Sequence, residues 1–283
     1  MQVGAAMFFT DYSMGPAELG RALEERGFES LWAPEHSHIP LSRKSTFPSG
    51  GELPKQYYDV MDPFVTLTAA AAVTKKLKLG TGVCLVIQRD TIQTAKLVAS
   101  LDQVSDGRFL FGIGGGWNQD EMEDHGTVYA TRFKKMREQI DAMREIWTKP
   151  KPEYHGEIVD FPPMMTWPKP VQHPMPVILG GAFPHAARRA LRYGNGWIPH
   201  SRRPQYEDVT DFLPHFRQMA AEAGRDPAEV PITVWGIGQD VGRLQRYRDQ
   251  GIARVVVSLP AEPADKTLPR LDTWAELIGR IGG

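Results

Sequence analysis

Short apolar stretches alternate with longer amphipathic stretches along the whole 283-residue chain. The short stretches are rich in β-branched and aromatic residues, which is typical of strands, whereas apolar residues in the longer ones recur at helical spacing. We predict eight strands, at 3–9, 30–33, 77–83, 109–113, 176–179, 196–199, 232–235 and 254–258. The predicted helices lie at 16–26, 63–73, 92–105, 131–147, 184–193, 205–223, 241–249 and 267–281.

The regular alternation of strands and helices determines the expected fold. Strands separated by helices form a parallel sheet that the helices cover. Eight consecutive units favour a (β/α)8 TIM barrel, with a doubly wound sheet as the alternative. Glycines at helix ends, such as Gly27 and Gly224, and a proline in a first turn, such as Pro63, agree with the boundaries. Residues 1–283 are therefore predicted to form a single barrel domain.

Two long segments interrupt the alternation, one after strand 2 and one between strands 4 and 5. The first, 35–61, is rich in Pro, Ser and Gly, and loops of this length are usually functional lids or disordered. The second, 150–175, contains "EYHGEIVDF", which predicts a small hairpin around His155 and Gly156. The barrel is thus expected to carry insertions after strands 2 and 4.

The composition narrows the classes of function. With 33 basic and 34 acidic residues, the chain lacks the basic excess that nucleic acid or an anionic membrane surface requires. Its single cysteine, Cys84, excludes an internal disulfide and any CxxC pair. No export signal and no run of ~20 apolar residues is found. We expect a cytoplasmic protein whose partner is a small molecule.

Three consecutive glycines follow strand 4 in "RFLFGIGGGWNQ", residues 108–119. A dinucleotide fingerprint requires a third glycine where this sequence has Trp117, and no P-loop motif occurs anywhere in the chain. These glycines therefore either let a ligand approach the backbone or merely turn the chain.

A glycine pair, Gly180 and Gly181, joins a strand to a helix in "PVILGGAFPHAARRALRYG". Backbone N–H groups and the positive end of the helix dipole converge at such a junction, which favours an anion. Three arginines further along this helix are interpreted as solvated surface: Arg188, Arg189 and Arg192.

"LWAPEHSHIP" places Glu35, His36 and His38 just after strand 2, at the end of a barrel where catalytic groups lie. The ordinary pKa of histidine, about 6.5, suits proton transfer near neutrality, so His36 is the candidate general acid or base. The alternative is a metal-dependent hydrolase that uses His36 and His38, although the sequence shows no complete ligand set. The acidic residues of "WNQDEMED" are interpreted as a solvated face: Asp120, Glu121, Glu123 and Asp124.

Taken together, these motifs resemble the luciferase-like monooxygenase superfamily, in particular its oxidoreductases that use the deazaflavin coenzyme F420. The most specific part is "LKLGTGVCLVIQRDTIQTAKLVASLDQVSDGRFLFGIGGGWNQDE", which spans strands 3 and 4. The resemblance covers nearly the whole chain and implies a barrel with the deazaflavin ring at the carboxyl ends of the strands. It also implies a cis peptide bond between Gly82 and Val83, which backs the ring, and a protein that is often a homodimer.

Carried over to this sequence, the resemblance implies residues that bind the cofactor. These are Gly82, Val83 and Cys84 behind the ring, Gly114 and Gly115 along it, and the backbone of Gly180, Gly181 and Ala182 at its phosphate. His36 matches the histidine that lies near the reactive C5 atom of the ring in relatives.

The expected substrate follows from one departure from the family pattern. F420-dependent sugar-phosphate dehydrogenases have a glutamate directly after the glycine loop, where this sequence has Trp117. Together with Phe8 and Trp197, this tryptophan predicts a pocket for an apolar or aromatic substrate. Two other readings share the fold: an FMN-dependent monooxygenase supplied by a separate reductase, and a non-catalytic carrier of the cofactor.

Overall fold

The structure is a computed structural model that describes residues 1–203 and 206–281. Within these residues, eight parallel strands form a nearly closed barrel in the order β8-β7-β4-β3-β2-β1-β10-β9. Bridges from Trp197 to Ile232 and from His200 to Trp235 bring the two edge strands together. The barrel strands are β1 (Gln2–Met7), β2 (Ser30–Ala33), β3 (Lys78–Thr81), β4 (Phe109–Ile113), β7 (Val177–Gly180), β8 (Trp197–Ile198), β9 (Thr233–Trp235) and β10 (Arg254–Leu259).

Helices cover the outside of the barrel, and the predicted (β/α)8 fold is confirmed. The helices are α1 (Pro16–Glu25), α2 (Gln56–Asp59), α3 (Pro63–Ala71), α4 (Thr91–Val104), α5 (Gln119–Asp124), α6 (Arg132–Thr148), α7 (His185–Tyr193), α8 (Leu213–Glu222), α9 (Val241–Asp249) and α10 (Ala264–Ile281). Short 3-10 turns lie at Val86–Gln88, Tyr129–Thr131, Val209–Phe212 and Pro227–Glu229. The helix predicted at 205–223 is divided into the 3-10 turn Val209–Phe212 and α8, and Gln205 lies outside the described residues. No helix in the described ranges has the length and hydropathy of a membrane span.

Side chains of successive strand residues point alternately into the barrel and toward the helices, as the pleat requires. The interior is filled by a small apolar cluster around Trp32, which is fully buried. A Cβ atom at Gly80 would lie 2.3 Å from the Trp32 ring, so the indole needs a glycine on the neighbouring strand. The cluster consists of Ala6, Trp32, Ile178, Ile198 and Val256, with Val83, Leu110 and Trp235 packed against it.

Two arginines tie the barrel together at its amino-terminal end. Arg254, which begins β10, donates from Nε and Nη2 to the two carboxylate oxygens of Glu29, both at 2.6 Å. Arg108, which precedes β4, donates to the carbonyl oxygens of Ala71, Thr74 and Leu77 at 3.0, 3.0 and 2.5 Å. Both guanidinium groups are thus fully engaged by the protein.

The two insertions occur where the sequence predicts them. The segment after β2 runs over the barrel end, contains α2, and returns the chain to α3 through Asp62, which caps that helix. In the segment after α6, β5 (Tyr154–His155) and β6 (Asp160–Phe161) form an antiparallel pair, which confirms the hairpin.

Candidate functional site

The barrel is open at the carboxyl-terminal ends of its strands. Phe8 is partly exposed, and His200 and Ser258 are exposed, although each lies two positions after a buried residue of the interior cluster. The inward-facing positions at this end therefore border a mouth, which we take as the candidate site.

Val83 forms the floor of this mouth. The Gly82–Val83 peptide bond is cis, as predicted. A Cβ atom at Gly114 would lie 2.5 Å from one methyl group of Val83, and one at Gly180 would lie 2.7 Å from the other. Gly114 and Gly180 therefore make room for the Val83 side chain, a use of these two glycines that the sequence does not reveal.

The side chain of Cys84 faces away from the mouth, so the structure does not bring it to the predicted cofactor position. Its side chain is fully buried in the layer between strands and helices, because alternation turns it to the side opposite Val83. Its N–H is donated to Gly112 O at 2.7 Å, and its carbonyl accepts from Gly114 N at 3.0 Å. Burial and the nearby Glu35 carboxylate raise the pKa of the thiol well above its ordinary value.

His36 lies at the edge of the mouth and is held by a buried carboxylate. Its Nδ1 is 2.7 Å from Oε2 of Glu121, and only 7% of the His36 side chain and none of the Glu121 side chain is exposed. The other oxygen of Glu121 accepts the Ser37 backbone N–H at 3.0 Å. The Nε2 atom of His36 has no hydrogen-bond partner among the described residues.

Glu121 is the main residue that the sequence interpretation missed. It was expected on a solvated face, but it is fully buried in the first turn of α5. No short-range pattern revealed it, because Trp117 precedes α5 and Glu121 meets His36 only in the fold. The structure puts both beside His36, with the Trp117 ring 5.7 Å from the imidazole.

Aromatic side chains from the first insertion extend the wall of the mouth. The Tyr57 ring lies 4.6 Å from Phe8 and 5.3 Å from His36, and Phe47 lies 5.9 Å from Trp117. Burial raises the pKa of Tyr57. Phe8 and Trp117, both predicted to line a pocket, thus belong to one aromatic group at the mouth.

Trp197 does not line this mouth, contrary to the prediction. It is fully buried, stacks on Phe216 at 5.5 Å, and donates its Nε1–H to Gly181 O at 2.9 Å. Alternation along β8 explains the error, because Ile198 faces the interior and its neighbour must face the helices.

A side cavity of about 410 Å³ next to His36 is lined by residues of the first insertion and by Arg89 and His125. Glu35 is one of the lining residues; it accepts the Leu85 N–H at 2.7 Å and pairs with Arg89. Glu35 thus bonds to Leu85 and Arg89 and not to His36, and His38 lies 2.9 Å from Asp124. No group of three potential metal ligands occurs among the residues that the structure describes. The two histidines bond to different carboxylates.

The glycine pair after β7 supplies fewer donors than expected. The Gly181 N–H is donated to Ile198 O at 3.1 Å, so it is committed to the sheet and is not available to a phosphate. The Ala182 N–H has no partner among the described residues, and the Ala182 carbonyl accepts from Ala186 N at the start of α7. Of the Gly181 and Ala182 backbone N–H groups, only that of Ala182 is available to donate to a phosphate.

Two guanidinium groups lie beside the triple glycine. Arg132 and Arg189 lie over the Phe133 ring, at 4.3 and 3.9 Å from its centroid, and a Cβ atom at Gly115 would lie 2.4 Å from that ring. Neither arginine forms an ion pair with any described residue. Burial and the charge of Arg132 lower the pKa of Arg189. Arg189 is thus not solvated surface, in contrast to the exposed Arg188 on the same helix.

Two proteins of known sequence are similar to this chain over most of its length. An uncharacterised protein of Mycobacterium tuberculosis is 38% identical over 275 residues, 94% of each chain. The F420-dependent hydroxymycolic acid dehydrogenase of the same organism is 28% identical over 225 residues, which are 78% of this chain and 56% of that protein.

Among solved structures, the monooxygenase RslO1 from Streptomyces bottropensis superimposes with a TM-score of 0.77 at 21% identity, over 100% of both chains. An F420-dependent secondary alcohol dehydrogenase, solved with an F420–acetone adduct, superimposes with a TM-score of 0.76 at 18% identity, over 99% of this chain and 98% of that one. The family model for luciferase-like monooxygenases matches residues 16–237. The chain therefore belongs to the luciferase-like monooxygenase family.

Proposed function

We propose that this protein is an F420-dependent oxidoreductase that transfers a hydride between C5 of the coenzyme and an apolar or aromatic organic substrate. The proposal rests on the residues that meet at the mouth. Val83 gives it an apolar floor, and His36 gives it an imidazole nitrogen without a hydrogen-bond partner. Beside them, the guanidinium groups of Arg132 and Arg189 have no anionic partner. Relatives named as F420-dependent enzymes favour F420 over other flavin-like cofactors.

The residues at the mouth fit such a coenzyme. Gly82 and Val83 would back one face of the flat ring, and Gly114 lies against the same floor, whereas Gly115 lies against the Phe133 ring. The free Ala182 amide would donate to the phosphate. Arg132 and Arg189 would neutralise that phosphate, because the protein leaves both charges without a carboxylate partner.

The coenzyme, when bound, supplies the hydride chemistry at C5. His36 would exchange the accompanying proton through Nε2, which no described residue occupies. Phe8, Tyr57 and Trp117 would surround the substrate and exclude water. A homodimer, which the family resemblance implies, and a cytoplasmic location, which the composition implies, stay predictions.

The rival cofactor is FMN, which the monooxygenase interpretation of this fold would require; the monooxygenase RslO1 has the same fold. Titration of the purified protein with F420 and separately with FMN, followed by fluorescence, distinguishes the two. We expect saturable binding of F420 in the micromolar range or tighter and much weaker binding of FMN. Preference for FMN would make the protein a two-component monooxygenase, and binding of neither would overturn the proposal.

The role of His36 is tested in the same assay. His36→Ala should bind F420 as the wild type does, because the imidazole is placed near the reacting atoms and not at the phosphate. Turnover in a substrate screen should fall by about 100-fold or more, the usual contribution of a positioned acid or base. Normal binding by both proteins with no turnover by the wild type would instead indicate a cofactor carrier.

A further inference from the structure

The hydrogen bond between His36 and Glu121 restricts where the imidazole proton lies. The Nδ1–Oε2 distance is 2.7 Å. The Glu121 side chain is fully buried, so its carboxylate does not contact solvent. A carboxylate accepts hydrogen bonds and cannot donate one. Nδ1 must therefore be the donor, and a neutral His36 carries its proton on Nδ1 and a lone pair on Nε2.

Ser37 supports the ionised, accepting state of Glu121. Its backbone N–H is donated to Oε1 at 3.0 Å, and its hydroxyl oxygen lies 3.5 Å from the same atom. Hydrogen bonds donated to a carboxylate favour its charged form. Glu121 is also in the first turn of α5, where the backbone N–H groups point toward negative charge.

We propose that Glu121 is a positioning residue that selects the Nδ1–H tautomer of His36 and so presents Nε2 as a proton acceptor. The tautomer follows from the geometry alone, whereas its chemical consequence rests on the proposed function. With the coenzyme bound to take up the hydride, Nε2 would accept the proton that the substrate loses on oxidation. In the reverse direction, doubly protonated His36 would return that proton to the substrate.

Glu121→Gln is a sharp test because Ser37 determines how the new amide is oriented. The Ser37 N–H requires an acceptor at the position of Oε1, so the glutamine oxygen must lie there. The NH2 group then faces Nδ1 of His36 and donates to it. A nearly isosteric substitution should therefore reverse the tautomer and place the proton on Nε2.

The readout is the 15N chemical shifts of the His36 ring in the coenzyme-free protein, at a pH where the ring is neutral. His36→Ala assigns the signals, and Glu123→Gln is the matched control, since Glu123 is an exposed carboxylate on the same helix. We expect Nδ1–H in the wild type and in Glu123→Gln, and Nε2–H in Glu121→Gln. The proposal would be overturned if the wild-type His36 ring carried its proton on Nε2, or if Glu121→Gln left the proton on Nδ1.

Kinetics separate this inference from the proposed function. In the F420-dependent reaction, Glu121→Gln should lower kcat by about 100-fold or more while coenzyme affinity stays unchanged. When His36 has already been replaced by alanine, Glu121→Gln should leave kcat almost unchanged, because Glu121 acts only through the imidazole. An equal loss in both backgrounds would contradict the positioning role. If the wild type does not bind F420, the proposed function fails, whereas the NMR result still decides the tautomer.

Discussion

The two ends of the barrel both place arginines over aromatic rings, but they satisfy the charges differently. At the amino-terminal end, Arg254 lies over Trp32 and its guanidinium is paired with both oxygens of Glu29. At the carboxyl-terminal end, Arg132 and Arg189 lie over Phe133 with no carboxylate in ion-pair contact among the described residues.

The difference separates charges that stabilise the fold from charges that are available to a ligand. The charge of a buried guanidinium that is paired with both oxygens of a carboxylate is neutralised within the protein, and removing either partner leaves an uncompensated charge. Partly buried guanidinium groups that lie close together without an anion repel each other, so a bound anion would stabilise both. Substitutions at the amino end should therefore change stability, and those at the carboxyl end should change binding.

The largest effect is expected at the amino end. Arg254→Met should lower the free energy of unfolding by roughly 3–5 kcal/mol, the usual cost of breaking a buried ion pair. Arg270→Met is the control, because the Arg270–Glu262 pair is half exposed and contributes at most about 1 kcal/mol. Chemical denaturation at pH 7 measures both, and equal losses would contradict the comparison.

Acid should remove the same stabilisation from the wild type. Burial alone raises the pKa of Glu29, but the hydrogen bonds and charge of Arg254 outweigh it and lower the pKa to about 2. Because the folded pKa lies below the unfolded value of 4.5, the stabilisation is complete above pH 4.5 and is lost toward pH 2. This amounts to about 3 kcal/mol. In Glu29→Gln, the free energy of unfolding, measured by chemical denaturation, should fall less between pH 4.5 and pH 2 than it does in the wild type.

A smaller effect is expected at the floor of the mouth. Gly180→Ala places a methyl group 2.7 Å from Val83, which should cost about 1–3 kcal/mol of stability and displace the floor. Val83→Ala in the same chain removes the conflicting methyl group. The double variant should therefore be more stable than Gly180→Ala alone, and additive losses in thermal unfolding would exclude this contact as the cause.

The smallest effect concerns the unpaired charges. Arg189→Met keeps an apolar chain on Phe133 but removes one cation, so F420 affinity should fall about tenfold, or ~1.4 kcal/mol. Stability should not fall, since a repulsion with Arg132 is relieved. The matched control is Arg188→Met, an exposed arginine on the same helix, which should bind F420 normally. A similar loss of affinity in both variants would mean that the effect is nonspecific.

The strands show how much of the fold can be predicted from the sequence. The predicted strands 30–33 and 109–113 agree with β2 and β4, and both insertions lie where the pattern is interrupted. Periodicity suffices here because each strand or helix buries one face in its own neighbourhood. The helix predicted at 205–223 was too long, because α8 begins only at Leu213, with Pro214 in its first turn, after a 3-10 turn capped by Asp208.

The candidate site was predicted only in part. The position of His36 follows from its motif and the cis bond between Gly82 and Val83 from the family resemblance, and the structure places both at the mouth. The side chains of Cys84 and Trp197 do not face the mouth as expected, because a strand residue one position away faces the opposite side of the sheet.

The sequence by itself determined the alternation of elements, the barrel and the motifs at the ends of its strands, because these depend on local hydrophobic pattern and backbone chemistry. Only the tertiary structure decided which polar groups meet. Glu121 follows His36 by 85 positions, and Arg189 reaches Phe133 from another helix. Such contacts depend on the positions of whole elements, and no short-range pattern contains that information.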